Sequence, residues 1–220
     1  RARATPCARG RARSRERAHV NALTSAAYEC AVQAVRAAAA LAPADGGKLR
    51  RSLRARRGIR ARYARWARES RDAARALVWM HASSVGEGLQ ARPVLAALRS
   101  AHAELQLAYT FFSPSAEPFA RGLPVDFADY LPFDSRADAR AALDALRPRV
   151  LAFSKLDVWP ALVEAAHARG VRLALLSATL SPGSGRRSWL ARALTRDAYA
   201  MVDAVGAVDE PDAERLAGIG

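Results

Sequence analysis

The sequence predicts an α/β fold: a Rossmann-like parallel sheet with helices on both faces, preceded by a basic helical segment. Three observations predict it. From residue 76 onward short apolar runs alternate with helical patterns, the grammar of a parallel sheet with right-handed crossovers. The runs close on small polar loops that fall at one end of the predicted strands. Of the 220 residues, 51% are hydrophobic, enough for a sizeable core.

Residues 1–21 read as a disordered, Arg-rich tail, low in bulky apolar groups and high in charge. Residues 22–42 read as an Ala-rich helix ended by Pro43 and the Gly46-Gly47 pair. Two readings of it stand: an amphipathic helix at a membrane interface, or an ordinary helix packed on the domain. It does not span a bilayer, because it carries Glu29, Gln33 and Arg36. Residues 48–74 read as a basic helical stretch broken near Gly58, with Leu53, Ile59, Tyr63 and Trp66 as its apolar contacts. Predicted strands follow at 76–80, 105–110, 125–131, 150–153, 171–176 and 204–208. Helices are predicted at 88–100, 115–121, 135–146, 160–169 and 188–201, with another opening at Pro211. Ser135 supplies an N-cap, and Gly170 stops a helix whose last turn is cationic.

Formal net charge is +14, which favours anionic partners: nucleic acid, phospholipid headgroups, or phosphorylated and carboxylated substrates. The excess concentrates in residues 1–20 and 48–75. Abundant Arg with little Lys also fits a GC-rich genome, a reading that needs no anionic partner. Cys7 and Cys30 have no metal-ligand spacing and imply no disulfide framework.

The most informative stretch is Leu77 to Gln90. A buried strand runs into His81-Ala82-Ser83-Ser84-Val85-Gly86, and Glu87 follows at the mouth of a helix whose Leu89, Val94, Leu95 and Leu98 can share one face. The spacing fits neither a dinucleotide fingerprint nor a P-loop. Glu87 has two readings. It complements the positive end of the helix dipole, or it is a general base in a cleft at a strand's carboxyl end.

Other strand ends carry polar clusters: Thr110, Ser113, Ser115 and Glu117; Ser154, Lys155 and Asp157; Ser177, Thr179, Ser181 and Ser184, with Arg186 and Arg187. In a parallel sheet these ends share one rim, which suits an anionic or sugar-like ligand. Each also has a duller reading. The serines cap helices, the charges pair across loops, His81 is a satisfied structural histidine, and Trp159-Pro160 anchors a helix start.

Trp79-Met80-His81-Ala82-Ser83-Ser84-Val85-Gly86-Glu87 resembles the W-x-H-A-x-S-V-G-E signature of the 3-deoxy-D-manno-octulosonic acid (Kdo) transferases. Tyr130-Leu131-Pro132-Phe133-Asp134 resembles that family's Y-x-P-x-D strand end, Lys155-Leu156-Asp157-Val158-Trp159-Pro160 its E-T-E-L-W-P motif, and Leu176-Ser177-Ala178-Thr179-Leu180-Ser181 its N-A-R-L-S loop. The resemblance runs from about residue 46 to the end. It implies the amino-terminal half of a two-domain GT-B glycosyltransferase: residues 22–75 as a basic membrane-proximal segment, residues 76–220 as the acceptor-binding domain, and the donor-binding half outside this chain. The implied reaction moves Kdo from CMP-Kdo, the donor substrate, to a lipid A precursor at the cytoplasmic face of the inner membrane, with inversion and with no cofactor or metal.

By the same resemblance Glu87 is the catalytic base and Asp157 a supporting acid. Ser84, Gly86, Ser113, Ser115, Lys155, Arg186 and Arg187 are the expected acceptor-binding residues. Partners would be the lipid A precursor, CMP-Kdo through the missing half, and an anionic membrane surface. The first Glu of E-T-E is Lys155 here, a charge reversal, and the Arg of N-A-R-L-S is Thr179. The alternative is a non-catalytic basic module that binds anionic lipid or nucleic acid. Little aromatic interleaving in the basic run and no recognised binding motif argue against nucleic acid.

Overall fold

The structure is a computed structural model that describes residues 22–41, 47–179 and 189–217. Six parallel strands form one sheet: β1 (Leu77–His81), β2 (Gln106–Phe111), β3 (Phe127–Tyr130), β4 (Val150–Ser154), β5 (Arg172–Ala178) and β6 (Ala204–Ala207). Their order is β3-β2-β1-β4-β5-β6. The chain steps outward from β1 to β3, returns to β4 beside β1, and steps outward again. Right-handed crossovers put the helices of the two halves on opposite faces. The order reverses between β1 and β4, which pair from Val78↔Val150 to His81↔Phe153, and in open α/β sheets ligands bind at the carboxyl ends of the strands at such a switch point.

The helices are α1 (Ala22–Leu41), α2 (Lys48–Ala55), α3 (Ile59–Glu69), α4 (Val85–Ala101), α5 (Glu117–Ala120), α6 (Arg136–Leu146), α7 (Pro160–His167), α8 (Trp189–Ala200) and α9 (Glu210–Ala217). Strands covered on both faces read as unbroken apolar runs. β2 is buried along its whole length, and Trp79, Tyr109 and Phe153 are fully enclosed.

All six predicted strands form. Three expectations about helices need correction. α4 begins at Val85, three residues before the predicted start, because Ser84 caps it. Leu89 is 50% exposed and stands off the core face that buries Ala91 and Leu95. The predicted helix at 115–121 is a 3-10 turn (Pro114–Ala116) followed by α5. The predicted tail at 1–21, Cys7, Ser181, Ser184, Arg186 and Arg187 lie outside the described residues.

The basic segment has two faces. α2 and α3 meet at Gly58, whose φ of 65° is the left-handed conformation glycine adopts without strain. α3 then lies along the edge strand β3. Tyr63 is buried, packs edge-on against Phe127 and donates to the Tyr130 carbonyl at 2.9 Å. Trp66 donates to the Asp126 carbonyl at 3.1 Å.

Several arginines tie these helices to the domain. Arg62 grips Asp129 with two bonds, at 2.7 and 2.9 Å, and Arg60 pairs with the buried Asp138. Arg56 is 3% exposed. It donates to the Leu131 carbonyl at 2.7 Å and to the Ser52 carbonyl and hydroxyl at 2.7 and 2.6 Å, and lies 4.2 Å over the Phe112 ring. Burial lowers its pKa to about 10. Arg51, Arg65 and Arg68 remain exposed. Among the described residues, no helix is long and apolar enough to cross a membrane.

Candidate active site

The loop after β1 feeds α4 through a capping box. The Ser84 hydroxyl accepts the Glu87 N–H at 3.4 Å, and the Ser84 N–H donates to Glu87 Oε2 at 3.2 Å. The Glu87 carboxylate is therefore turned over the first turn of α4, partly exposed, beside the positive end of the helix. Among the described residues its other oxygen, Oε1, has no partner, and no guanidinium claims it. The carbonyl of Glu87 accepts the Ser154 hydroxyl at 3.1 Å. That bond ties the end of β4 to the start of α4 across the switch point.

Two glycines flank this acid, with opposite reasons. A Cβ on Gly88 would lie 2.6 Å from Phe119 Cε1 and 2.7 Å from the Tyr109 hydroxyl, so only glycine lets α4 sit this low on β2. A Cβ on Gly86 would come no nearer than 4.0 Å to the Ser84 Oγ. Packing does not require glycine there; its bare backbone leaves open space above the helix start. Beneath the turn, the buried Tyr109 hydroxyl has no hydrogen-bond partner among the described residues. Its pKa is raised, first by burial and then by the charge of Glu87.

Asp157 reaches the same rim from the loop after β4. Its carboxylate accepts the Ser83 hydroxyl and stands 3.8 Å from His81 Nε2, with 26% of its side chain exposed. His81 is fully buried. The Trp159 indole donates to His81 Nε2 at 3.1 Å. An indole N–H only donates, so the imidazole hydrogen is assigned to Nδ1, which faces Thr110 Oγ1 at 2.9 Å. Trp79 also donates to that oxygen, at 2.8 Å. In a catalytic triad the acid orients the histidine and the histidine takes the serine proton. Here Ser83 Oγ lies 3.0 Å from His81 Nε2 but donates to the acid, and the Trp159 indole donates to the same ring nitrogen, an arrangement that fits the structural reading of His81 better than a triad.

The loop after β2 docks on the loop after β1, with the Phe112 and Ser113 N–H groups donating to the Ser83 carbonyl at 3.2 and 2.8 Å. The Ser113 and Ser115 hydroxyls meet at 2.8 Å on the outer side. Phe112 lies between two partners: Arg56 on one side and the Trp159 ring, stacked at 5.3 Å, on the other. Ser52 donates to the Phe112 carbonyl at 3.1 Å, which brings the basic helix α2 to the rim. Two non-glycine residues adopt left-handed φ there, Lys155 at 61° and Ser177 at 50°. The Lys155 N–H donates to the Leu176 carbonyl at 2.7 Å. Such conformations cost of order 1 kcal/mol and gather at functional sites.

The structure thus gathers Ser84, Gly86, Glu87, Ser113, Ser115, Lys155 and Asp157 on one rim. Sequence reasoning singled out neither Arg56 nor Phe112, and it placed Ser154 on the rim without its bond to Glu87. An arginine run gives no sign of which member is buried. The Ser154 bond joins residues 67 positions apart.

The family model described as 3-deoxy-D-manno-octulosonic-acid transferase (kdotransferase) matches residues 51–220. The chain belongs to this Kdo transferase family. The Bordetella pertussis 3-deoxy-D-manno-octulosonic acid transferase is 37% identical over 145 residues, covering 63% of this chain and 34% of that protein. The Haemophilus influenzae enzyme of the same name is 24% identical over 145 residues, covering 65% and 34%. A probable mitochondrial one from Arabidopsis thaliana is 31% identical over 113 residues, covering 50% and 25%. The match thus spans about a third of the bacterial Kdo transferases. Among solved structures, a putative UDP-N-acetylglucosamine 2-epimerase from Listeria monocytogenes matches with a TM-score of 0.51 and 12% identity, over 66% of this chain and 42% of that one. That likeness concerns the fold alone.

Proposed function

We propose that this Kdo transferase domain is the acceptor-binding half of a glycosyltransferase of lipopolysaccharide synthesis, with Glu87 as its general base. The donor is CMP-Kdo and the acceptor a lipid A precursor. One observation carries the assignment of the base: Glu87 is held by its own N-cap at the switch point, with Oε1 uncommitted among the described residues. The acceptor hydroxyl passes its proton to Glu87 as its oxygen attacks the anomeric carbon of Kdo. The bond to the CMP phosphate breaks on the opposite face, and the electron pair leaves with CMP, so the configuration inverts. No resident metal or cofactor takes part in this scheme.

Asp157, fixed by Ser83, borders the same path. Gly86 leaves room for a sugar, and Ser84, Ser113, Ser115 and Lys155 supply polar contacts. Arg186 and Arg187 belong to the same proposal on sequence grounds.

α2, anchored on this rim through Ser52 and Arg56, turns its exposed arginines to solvent beside it. A lipid acceptor and an anionic membrane surface suit that charge, with work at the cytoplasmic face of the inner membrane. Nucleic acid suits it less, because Arg56, Arg60, Arg62 and Arg71 are engaged inside the protein.

The test is transfer of Kdo by the full-length enzyme carrying Glu87→Gln. Gln keeps the capping box but takes no proton, so the rate should fall about 10²–10⁴-fold with the fold intact. A rate near wild type refutes the role of Glu87.

A further inference from the structure

The opposite end of the sheet carries a second charged recess. It opens where β1 and β4 begin, has a volume of about 310 Å³, and is lined by Arg71, Arg75, Arg147 and Arg149 with three alanines. No acid lines it. The nearest, Asp72, turns one oxygen to the Ala74 N–H at 3.0 Å.

The four arginines divide into two pairs. Arg71 and Arg75 are fixed by the backbone. Arg71 donates to the carbonyls of Leu146 at 2.7 Å and Arg75 at 2.8 Å, and Arg75 to those of Leu105 at 2.6 Å and Glu104 at 2.8 Å. Their hydrogen-bond partners here are neutral carbonyls; the carboxylates of Asp72, near Arg71, and Glu104, near Arg75, offset only part of the charge. Arg71 is pushed below the usual guanidinium range, first by burial and next by the charge of Arg147. Arg147 and Arg149 are exposed, and among the described residues neither side chain has a hydrogen-bond or ion-pair partner. Arg147 also holds φ 45°, ψ 58° as the C-cap of α6, a position that favours glycine. Two fixed cations thus supply the field, and two uncommitted forks supply the donors.

We propose that this recess is a binding site for a phosphate-bearing anion, distinct from the active-site rim and gripped by Arg147 and Arg149. Guanidinium forks match phosphate oxygens in pairs, and charge-assisted bonds of this kind are the strong ones. The phosphate group belongs either to a small soluble ligand or to a lipid headgroup.

Two probes separate the sources: inorganic pyrophosphate, followed by calorimetry and by backbone amide shifts, and phosphatidylcholine vesicles with or without phosphatidic acid, followed by flotation. The full chain is compared with R147G/R149A and with R65A/R68A, which removes the same charge from exposed positions on α3. Glycine suits the left-handed cap, so R147G/R149A should unfold at the wild-type temperature.

A soluble ligand predicts that pyrophosphate shifts the amides of residues 73–76, and that R147G/R149A weakens it about tenfold while R65A/R68A changes it less than twofold. A headgroup site predicts that only the phosphatidic acid vesicles bind, with the same selective loss. The proposal is overturned if both double variants weaken binding equally. It is also overturned if neither probe responds to Arg147 and Arg149 and the amides of residues 73–76 stay unmoved.

Discussion

Two helices start at the switch-point rim, and they are capped in opposite ways. α4 caps itself: Ser84 and Glu87 exchange bonds within one turn. α7 starts at Trp159-Pro160 with no side-chain cap of its own. Its free N–H groups are taken by Asp134, from the loop after β3, at 3.1 Å from Ala161 and 2.9 Å from Leu162. Both acids sit where a helix dipole welcomes negative charge. They differ in what is left over. Asp134 is 5% exposed, and the Tyr28 hydroxyl donates to it as well, at 2.7 Å. Among the described residues, Glu87 gives one oxygen to a local amide and keeps the other. A carboxylate whose oxygens are all engaged holds structure; one with an oxygen to spare can accept a proton from a substrate.

The largest expected effect tests that contrast directly. Glu87→Gln should cost the proposed transfer rate about 10²–10⁴-fold, with a melting temperature close to wild type. Asp134→Asn should leave the rate within a few-fold. If the two variants lose activity equally, the division between a working and a structural acid fails.

Stability should rank them the other way. Asp134→Ala strands two helix N–H groups and the Tyr28 hydroxyl, and should cost roughly 2–4 kcal/mol in chemical denaturation. Glu87→Ala removes one long bond at a partly exposed turn and should cost about 1 kcal/mol at most.

Acidity sharpens the comparison further. Burial raises the Asp134 pKa to about 6, against the donors from Tyr28, Ala161 and Leu162 that lower it. The folded protein therefore binds a proton here that the unfolded chain releases above about pH 4. Above pH 6 the ionised group carries its full burial penalty, and the penalty is relieved as pH falls from 6 toward 4. Over that window the wild type should gain stability relative to Asp134→Asn, by an amount approaching roughly 3 kcal/mol. Denaturation midpoints of the two proteins at pH 7 and pH 4.5 measure it. A difference that does not change with pH would mean that Asp134 is not the titrating group.

The smaller effects concern the two glycines. Gly88→Ala should cost about 1–3 kcal/mol in thermal unfolding, because Phe119 and the Tyr109 ring must give way. Gly86→Ala meets nothing and should keep or slightly raise stability, by up to about 1 kcal/mol. Its expected effect is a higher KM for acceptor. A Gly86→Ala enzyme with unchanged KM would remove the case for an open approach above α4.

Of the self-capped half of this comparison, an acid at the helix mouth was legible in the sequence, whereas the predicted helix start at residue 88 overlooked the Ser84 cap. Ser84 three residues before Glu87 is a local signal, and a local signal needs no knowledge of the fold. Strand positions were legible for a similar reason, since burial on both faces writes an apolar run into the chain. Leu89 was misplaced because helical spacing gives a face but not its partner, and α4 turns that residue to solvent. Asp134 was legible only as part of a motif. Nothing in its neighbourhood says that it caps a helix beginning at residue 160.

By itself, then, the sequence determined the strand and helix alternation, the acid at the mouth of the helix after β1, and the family to which the motifs belong. Tertiary structure alone decided which acid keeps a spare oxygen, that Ser83 holds Asp157, and that Arg56 is a buried strut while Arg51, Arg65 and Arg68 stay in solvent. The physical reason is range. Propensity, periodicity and capping act over three or four residues along the chain. Desolvation and the pairing of buried polar groups depend on neighbours that only folding brings together.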